Sequence, residues 1–424
     1  MQNKISIIIA GILLIFTFNA KAQVNLGSSY SRFGIGEIQT VYTGRSTGMG
    51  GIATGLRMPY EINPVNPASY SVIPEKIFLF QTGFKLIKTD YSVTDDKISD
   101  NDFRLNSVNA ALSINKFWGM SFGMNPVSTV NYNIFTEDSV SVGDYTSHFN
   151  NRYIGEGGLT SVYFGNAFVF KGFSAGINIS YIFGTLLNKV ESFLNEDGYS
   201  SFVYVEDNSK INDFQIRYGI QYTDSLFKKI KVTAGAYFEN KTDLNAVKTK
   251  FVSEIIKPAS DITLSDTVMN DTLSEGVVQM PLAYGVGFSA MTEKWMFGLD
   301  YRCSNWDDVL FFEEKPSSLT NSSSVSAGVE FTDNPLSKKF LKRLNWRAGG
   351  YYKNTNIFLN GTQIKDYGIN IGIGIPTKFG TKINIGFETG KRGTTDDNLV
   401  QENYYVINFN INLMDRWFVR RRFF

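Results

Sequence analysis

The feature that most constrains the fold is a strict alternation of apolar and polar residues, clearest near the C-terminus. In NYYVINFNIN, residues 403–412, one face carries Tyr405, Ile407, Phe409 and Ile411, and the other carries Asn408, Asn410 and Asn412. A period of two predicts a β-strand whose faces meet different environments. Such a strand covers a core in a soluble sheet, whereas in a membrane barrel its polar face lines a watery lumen.

Charges on the polar faces favour the barrel. In residues 294–302 the apolar face holds Trp295 and Leu299, and the opposite face includes Asp300 and Arg302. In residues 381–388 the polar face includes Glu388. Charged side chains are poor components of a core but suit a lumen, so we predict that these three face the lumen. No run of about 18 apolar residues follows the N-terminal region, so no transmembrane helix is predicted.

The connections show an outer-membrane pattern. Fourteen strand-like stretches follow one another between residues 76 and 416, and an even number returns both ends of a closed barrel to the same side. Long polar links such as 94–102, 130–154 and 187–206 alternate with short ones such as 171–172. The predicted fold class is therefore all-β, a 14-stranded antiparallel transmembrane barrel over residues 76–416, ending in a basic-aromatic stretch, 417–424.

Residues 1–22 have the features of a signal peptide. Lys4 precedes a short apolar run, and Ala20-Lys21-Ala22 supplies a small-residue cleavage site. We therefore expect the mature chain to begin at Gln23 and to reside in the outer membrane of a Gram-negative-type cell. Basic and acidic residues nearly balance, 41 against 40, so nothing indicates a nucleic-acid partner. The single cysteine, Cys303, excludes an intramolecular disulfide.

Residues 23–75 do not follow the strand rhythm. They are rich in glycine and contain NPVNPAS at 63–69, with too few strand-like runs to form a sheet of their own. We predict that this segment is a hatch that enters the barrel lumen from the periplasmic side. The alternative is a disordered periplasmic tail, which the apolar residues Tyr30, Phe33 and Ile35 argue against.

The chain resembles the FadL family of outer-membrane transporters for long-chain fatty acids and other hydrophobic compounds. The resemblance is carried by GRSTGMGGIATG at 44–55 with NPAS at 66–69, by the hairpin MPLAYGVGFSAMTEKWMFGLDYRCSNWDD at 280–308, and by the strand count. The resemblance implies a fourteen-stranded barrel with a lumenal hatch. The hatch residues it implies are Gly48, Gly50, Gly51, Asn66, Pro67 and Ala68.

Pro126 interrupts the third predicted strand, 117–131. Proline has no amide hydrogen, so in a closed barrel it is confined to a bulge or a break. The resemblance implies an inward kink in the third strand that opens the wall to the membrane, so we expect a lateral gate at Asn125 and Pro126. The alternative is a strand that ends early and leaves Pro126 in a loop.

Catalytic and cofactor motifs are weak throughout. GMGGIA at 48–53 fits a dinucleotide fingerprint, but no βαβ unit surrounds it. His148 is the only histidine and lies in a polar stretch, and the acidic residues between Glu254 and Glu275 match no calcium-loop spacing. The sequence therefore predicts no enzyme, no cofactor and no metal.

The resemblance implies passive transport of hydrophobic small molecules of the long-chain fatty acid type. The expected mechanism is binding in an apolar pocket above the hatch, followed by lateral release through the barrel wall. The expected partners are a hydrophobic ligand, outer-membrane lipid and the barrel-assembly machinery. The alternative is a FadL-like shuttle or assembly component of an outer-membrane protein secretion system, because the family also includes such proteins.

Overall fold

The computed structural model describes residues 27–417, apart from residues 43, 94–95, 143–144, 197–198, 228, 259–263 and 378–379. The predicted signal peptide and the end of the chain from 418 to Phe424 lie outside the described residues. In the part that is described, no helix is long and apolar enough to cross a membrane.

Antiparallel strands account for most of the described chain. In chain order they are β1 (Glu37–Ile38), β2 (Ile77–Val93), β3 (Asp96–Asn115), β4 (Trp118–Pro126), β5 (Ser128–Val142), β6 (Tyr145–Phe170), β7 (Phe173–Glu196), β8 (Tyr199–Leu226), β9 (Ile230–Glu239), β10 (Thr242–Pro258), β11 (Leu264–Met280), β12 (Ala283–Met291), β13 (Trp295–Ser304), β14 (Ser322–Phe331), β15 (Asn345–Leu359), β16 (Thr362–Pro376), β17 (Lys382–Arg392) and β18 (Gln401–Arg416).

The sheet closes into a barrel. All strands except β1 form its wall, and three wall strands are interrupted: β4 continues as β5, β9 as β10 and β11 as β12. Pairing of β18 with β2, from Gln401 opposite Ser92 to Arg416 opposite Ile77, completes the circle. The predicted class, a 14-stranded antiparallel transmembrane barrel, is confirmed.

The two faces of the wall differ as the alternation predicts. On β18, Tyr405 and Ile407 are exposed on the outer face, whereas Asn408, Asn410 and Asn412 are buried on the inner face. Across the barrel, Phe297 and Leu299 on β13 are likewise exposed. A continuous band of exposed apolar side chains around a closed sheet is what a lipid bilayer requires.

The long links expected between strands are mostly strand themselves. The predicted link 187–206, for example, is occupied by the ends of β7 and β8, which pair as far as Glu196 opposite Tyr199. The inward side chains of this extended sheet pack with the 305–321 connection around Trp306, Val309 and Leu319, in an apolar core that also contains Ile35. The predicted strand boundaries were therefore too short, because polar strand residues above a membrane resemble loop residues in sequence.

The N-terminal segment, residues 27–75, packs against the inward faces of the wall. It begins at the long-hairpin end, where Gly27 N–H donates to Asp100 Oδ2 over 3.1 Å. It ends at the short-turn end, in a 3₁₀ helix, Pro67–Val72, that leads into β2. The segment therefore runs through the lumen from one end to the other.

Candidate functional site

The barrel wall is split between β3 and β5. Pairing of β3 with β4 ends at Val108 opposite Met124, and beyond that point β5 pairs with β6 and with β1. In the described pairings, residues 96–107 of β3 have a wall partner on the β2 side only. Asn125 and Pro126 lie at the end of β4, where this split begins.

Local chemistry explains why the pairing stops there. Pro126 has no N–H to offer, and the next residue, Val127, donates its N–H to Leu159 O on β6 over 2.8 Å. Opposite, Gly157 and Gly158 have φ values of +105° and +141°, which residues with a side chain rarely adopt. The Asn125 side chain is buried, and its Oδ1 has no hydrogen-bond partner in the described part of the chain. The wall is thus irregular on both sides of Pro126.

A short piece of the N-terminal segment, residues 36–42, lies across the split, and we name it the bridging strip. On one lip, Glu37 and Ile38 pair as β1 with Thr129 and Ser128 of β5. Gln39 N–H extends this pairing by donating to Val127 O over 2.9 Å.

Side chains connect the bridging strip to the other lip. Arg104 of β3 donates to Glu37 over 3.1 Å, and Asn106 Nδ2 donates to Tyr42 O over 2.6 Å. Gln39 Oε1 accepts a hydrogen bond of 2.8 Å from Lys85 on β2. The strip therefore holds together two wall strands that do not pair with each other.

Glu37 also joins an ion-pair network on the neighbouring wall strands β16, β17 and β18. Arg392 lies 2.8 Å from Glu37, 3.3 Å from Asp366 and 3.4 Å from Glu402. Glu402 accepts a 2.6 Å hydrogen bond from Ser28, near the start of the N-terminal segment. These contacts place the network at the level of the split and couple it to two points of the segment.

A cavity of about 360 Å³ lies beside the bridging strip. Its lining combines apolar surface with many polar and charged residues, which include Lys85, Asp102, Arg104, Glu388, Arg392 and Glu402. A second cavity, of about 420 Å³, lies at the split itself and shares Lys85, Arg104 and Pro126 with the first. The apolar pocket expected above the hatch stays a prediction, and the apolar residues at the long-hairpin end fill a packed core.

The glycine-rich stretch 44–55 sits against glycines of the wall. A Cβ on Gly48 would lie 2.9 Å from Gly372 Cα, and one on Gly50 would lie 2.5 Å from Gly350 O. Gly50 and Gly51 also have φ values of +67° and +79°. Close backbone contact, rather than a phosphate cradle, accounts for these glycines.

Asp300 and Arg302 of β13 bind the same stretch. Asp300 Oδ2 accepts from the N–H groups of Ala53 and Thr54 over 2.7 and 2.8 Å, and Arg302 donates to Gly51 O over 2.6 Å. Glu388 lies apart from them, on the cavity, where it accepts a 2.8 Å hydrogen bond from Tyr351.

Asn66, Pro67 and Ala68 connect the segment to three further wall strands. Asn66 is fully buried, and its Nδ2 donates to Thr54 O, to Ile220 O on β8 and to Ala236 O on β9, over 2.9 to 3.2 Å. Its Oδ1 caps the 3₁₀ helix by accepting from Ala68 N–H over 3.1 Å. Ala68 O in turn accepts from Ser174 on β7 over 2.7 Å.

A second ion-pair network lies nearer the short-turn end, and sequence analysis did not identify it. Arg45 and Glu61 of the N-terminal segment meet Glu330 on β14, Arg347 on β15 and Lys382 on β17. Burial disfavours the charged form of Glu61, but Arg45, Lys382 and Arg347 outweigh it and lower its pKa to about 2. The five residues of this network are far apart in sequence, so no motif links them. The charged residues on the polar face of each strand are the one sequence signal from which the network could have been predicted.

The whole sequence matches one family model. BamG is that family, and the match covers residues 1–424. This chain belongs to the BamG family. A comparison with curated proteins finds no match.

Solved structures show the fold shared by this BamG-family chain. The Ralstonia pickettii toluene transporter TbuX is 16% identical with a TM-score of 0.56, over 92% of this chain and 99% of that one. The Pseudomonas putida toluene transporter TodX is 14% identical with a TM-score of 0.55, over 91% and 100%. A Pseudomonas aeruginosa FadL homologue is 10% identical with a TM-score of 0.56, over 90% and 100%. The predicted resemblance to the FadL family is confirmed in its fold.

Proposed function

We propose that this protein is an outer-membrane passage for hydrophobic or amphipathic small molecules, of the long-chain fatty acid type, with lateral release through the wall. The observation that carries the proposal is the split between β3 and β5, which adjoins a cavity and is bridged by residues 36–42. Toluene transporters and a FadL homologue have the same fold. The hydrophobic outer face and the short-turn pattern support an outer-membrane location.

In this proposal the N-terminal segment is a hatch, and the bridging strip is its moving part. The strip leaves the split, a ligand passes from the cavity into the membrane beside Pro126, and the strip returns. The charged residues in the lining favour a cargo with a polar head group such as a carboxylate. Lys85 and Arg104 would bind this carboxylate while the acyl chain enters the lipid. Each methylene that moves from water into lipid contributes about 0.8 kcal/mol.

A disulfide between the bridging strip and the β5 lip of the split tests lateral release. Ile38 and Ser128 are register partners in β1 and β5, so cysteines at both positions lie close enough to bond. In a Cys303→Ala background we expect Ile38→Cys with Ser128→Cys to stop uptake of a labelled long-chain fatty acid when oxidised and to restore it when reduced. The control joins β5 to its other neighbour, through Ser139→Cys and His148→Cys.

The control should take up fatty acid equally in both redox states. Equal uptake by the oxidised and reduced Ile38–Ser128 variant, at matched protein levels, would rule out release through the split.

A second function is favoured by the family itself. The name BamG associates the chain with barrel assembly, and a firmly seated segment in a charged lumen suits a stable platform for partner proteins as well as a channel. In this proposal the chain is a shuttle or assembly component that binds partners through its long hairpins. Purification from native membranes in mild detergent separates the two: an acyl ligand retained in the lumen supports transport, and stoichiometric outer-membrane protein partners support assembly.

A further inference from the structure

One turn at the short-turn end of the barrel is unlike its neighbours. Most connections there are two or three residues long, such as 116–117, 171–172 and 292–294, whereas residues 332–344 separate β14 from β15. We name residues 334–343 of this connection the basic turn. It contains Lys338, Lys339, Lys342 and Arg343 and no acidic residue.

The basic turn has a defined structure that exposes its apolar side chains. Asn334 N–H donates to Lys342 O over 2.8 Å, and Lys342 Nζ lies 3.0 Å from Asp333, which fixes both ends of the turn. Leu336 is 92% exposed, Leu341 70% and Phe340 50%. Three large apolar side chains are held outward beside four cations, one of which, Lys342, is paired with Asp333, and this combination suits an environment that is partly apolar and partly anionic.

The turn leaves the wall at the edge of the membrane. Trp295, Phe331 and Trp346 are register partners on adjacent strands at this end. The rings of Trp295 and Phe331 lie 4.6 Å apart, and both tryptophans are exposed on the outer face. A row of aromatics of this kind marks the level of lipid headgroups. The basic turn follows within a few residues of that row.

We propose that the basic turn binds anionic phospholipid headgroups of the adjacent leaflet, with Leu336, Phe340 and Leu341 inserted at the boundary between headgroups and acyl chains. Each lysine near an anionic membrane surface strengthens such binding by a factor of about five. A bilayer fits better than an acidic protein because the same chemistry recurs around this end of the barrel. Lys116 lies 4.8 Å from the ring of exposed Phe117, and Lys171 lies 5.2 Å from that of exposed Phe170.

Lipid retention measures the charge contribution. The full-length protein, extracted from vesicles with equal phosphatidylglycerol and phosphatidylcholine, is analysed by native mass spectrometry. We expect the combined Lys338→Gln, Lys339→Gln variant, which keeps the Lys342–Asp333 ion pair, to retain several-fold less phosphatidylglycerol relative to phosphatidylcholine. The matched control removes two lysines at the long-hairpin end, with Lys97→Gln and Lys250→Gln, and should keep the parent ratio. An unchanged ratio in the basic-turn variant would overturn the proposal.

A spin label tests insertion without changing any lysine. Leu336→Cys in a Cys303→Ala background is labelled and reconstituted into nanodiscs that contain phosphatidylglycerol. We expect the label to be more accessible to oxygen than to a water-soluble nickel complex, and this preference to weaken in pure phosphatidylcholine. A label accessible to water in both lipids would refute insertion. If the label is shielded only in samples in which an acidic protein co-purifies, the basic turn binds that protein and not lipid, and the proposal is overturned.

Discussion

Neutralising Glu37 should release the bridging strip while leaving the rest of the N-terminal segment in place. Glu37 accepts from Arg104 and Arg392 over 3.1 and 2.8 Å, and a hydrogen bond between charged groups contributes about 1.5–3 kcal/mol. Each arginine keeps another carboxylate after Glu37→Gln: Asp102 remains for Arg104 and Asp366 for Arg392. We therefore expect the strip to lose about 2 kcal/mol of docking free energy, which raises its undocked population about 30-fold.

Hydrogen–deuterium exchange in nanodiscs reads this population directly. The Gln39 amide is protected by Val127 O, so peptides that cover residues 36–42 should exchange about 30-fold faster in the variant. The amides of Ala53 and Thr54, which are bound by Asp300, should keep the parent rate and serve as an internal control.

The control variant is Glu156→Gln. Glu156 lines the cavity at the split, but its ion pair is with Lys189 at 3.6 Å and not with the N-terminal segment. Residues 36–42 of the Glu156→Gln variant should therefore exchange at the parent rate. Parent-like exchange of residues 36–42 in Glu37→Gln, or equal acceleration in both variants, would refute the view that Glu37 holds the strip across the split.

Three further outcomes follow from the packing. Phe409→Arg on the lipid face should cost roughly 2–4 kcal/mol of folding free energy near the membrane midplane, measured by folding yield into vesicles, whereas Asn408→Arg on the cavity should be tolerated. Gly50→Ala should loosen the N-terminal segment, because its Cβ would lie 2.5 Å from Gly350 O, and limited proteolysis should then cut the segment faster. Deletion of residues 24–75 should leave a barrel that assembles and conducts small ions in planar bilayers, and a non-conducting barrel would contradict a hatch role.

The fold could be predicted from the sequence because the alternation of apolar and polar residues in each strand shows which face meets lipid and which meets the lumen. Phe297 and Asp300 lie three residues apart, so a period of two places them on opposite faces without knowledge of any partner. The ends of the strands were not readable. Above the membrane, β7 and β8 continue with charged and apolar residues mixed on one face, so the alternation that separates strand from loop disappears there.

The contents of the lumen were harder to predict for a related reason. A polar inward residue meets either water or another part of the chain, and alternation does not distinguish the two. Asn410, which suited a wet face, is buried beneath the N-terminal segment, with its side chain 3.5 Å from a Cβ built at Gly44. An arginine at position 410 would displace the N-terminal segment instead of entering solvent. The inward polar faces of the barrel are therefore largely surfaces that bind the protein's own N-terminal segment.

The distribution of these contacts indicates which part of the segment would move in the proposed lateral release. Near the short turns, Asn66 binds wall carbonyls, glycines meet wall backbone, and Arg45 and Glu61 are paired inside the barrel. Moving this part would break many contacts at once and leave charges unpaired in a buried site. The bridging strip, by contrast, is held by two paired residues, a few side chains and ion pairs that border a cavity. In the proposed lateral release, displacement of residues 36–42 would therefore open the split, and the remainder of the segment would stay in place beneath it.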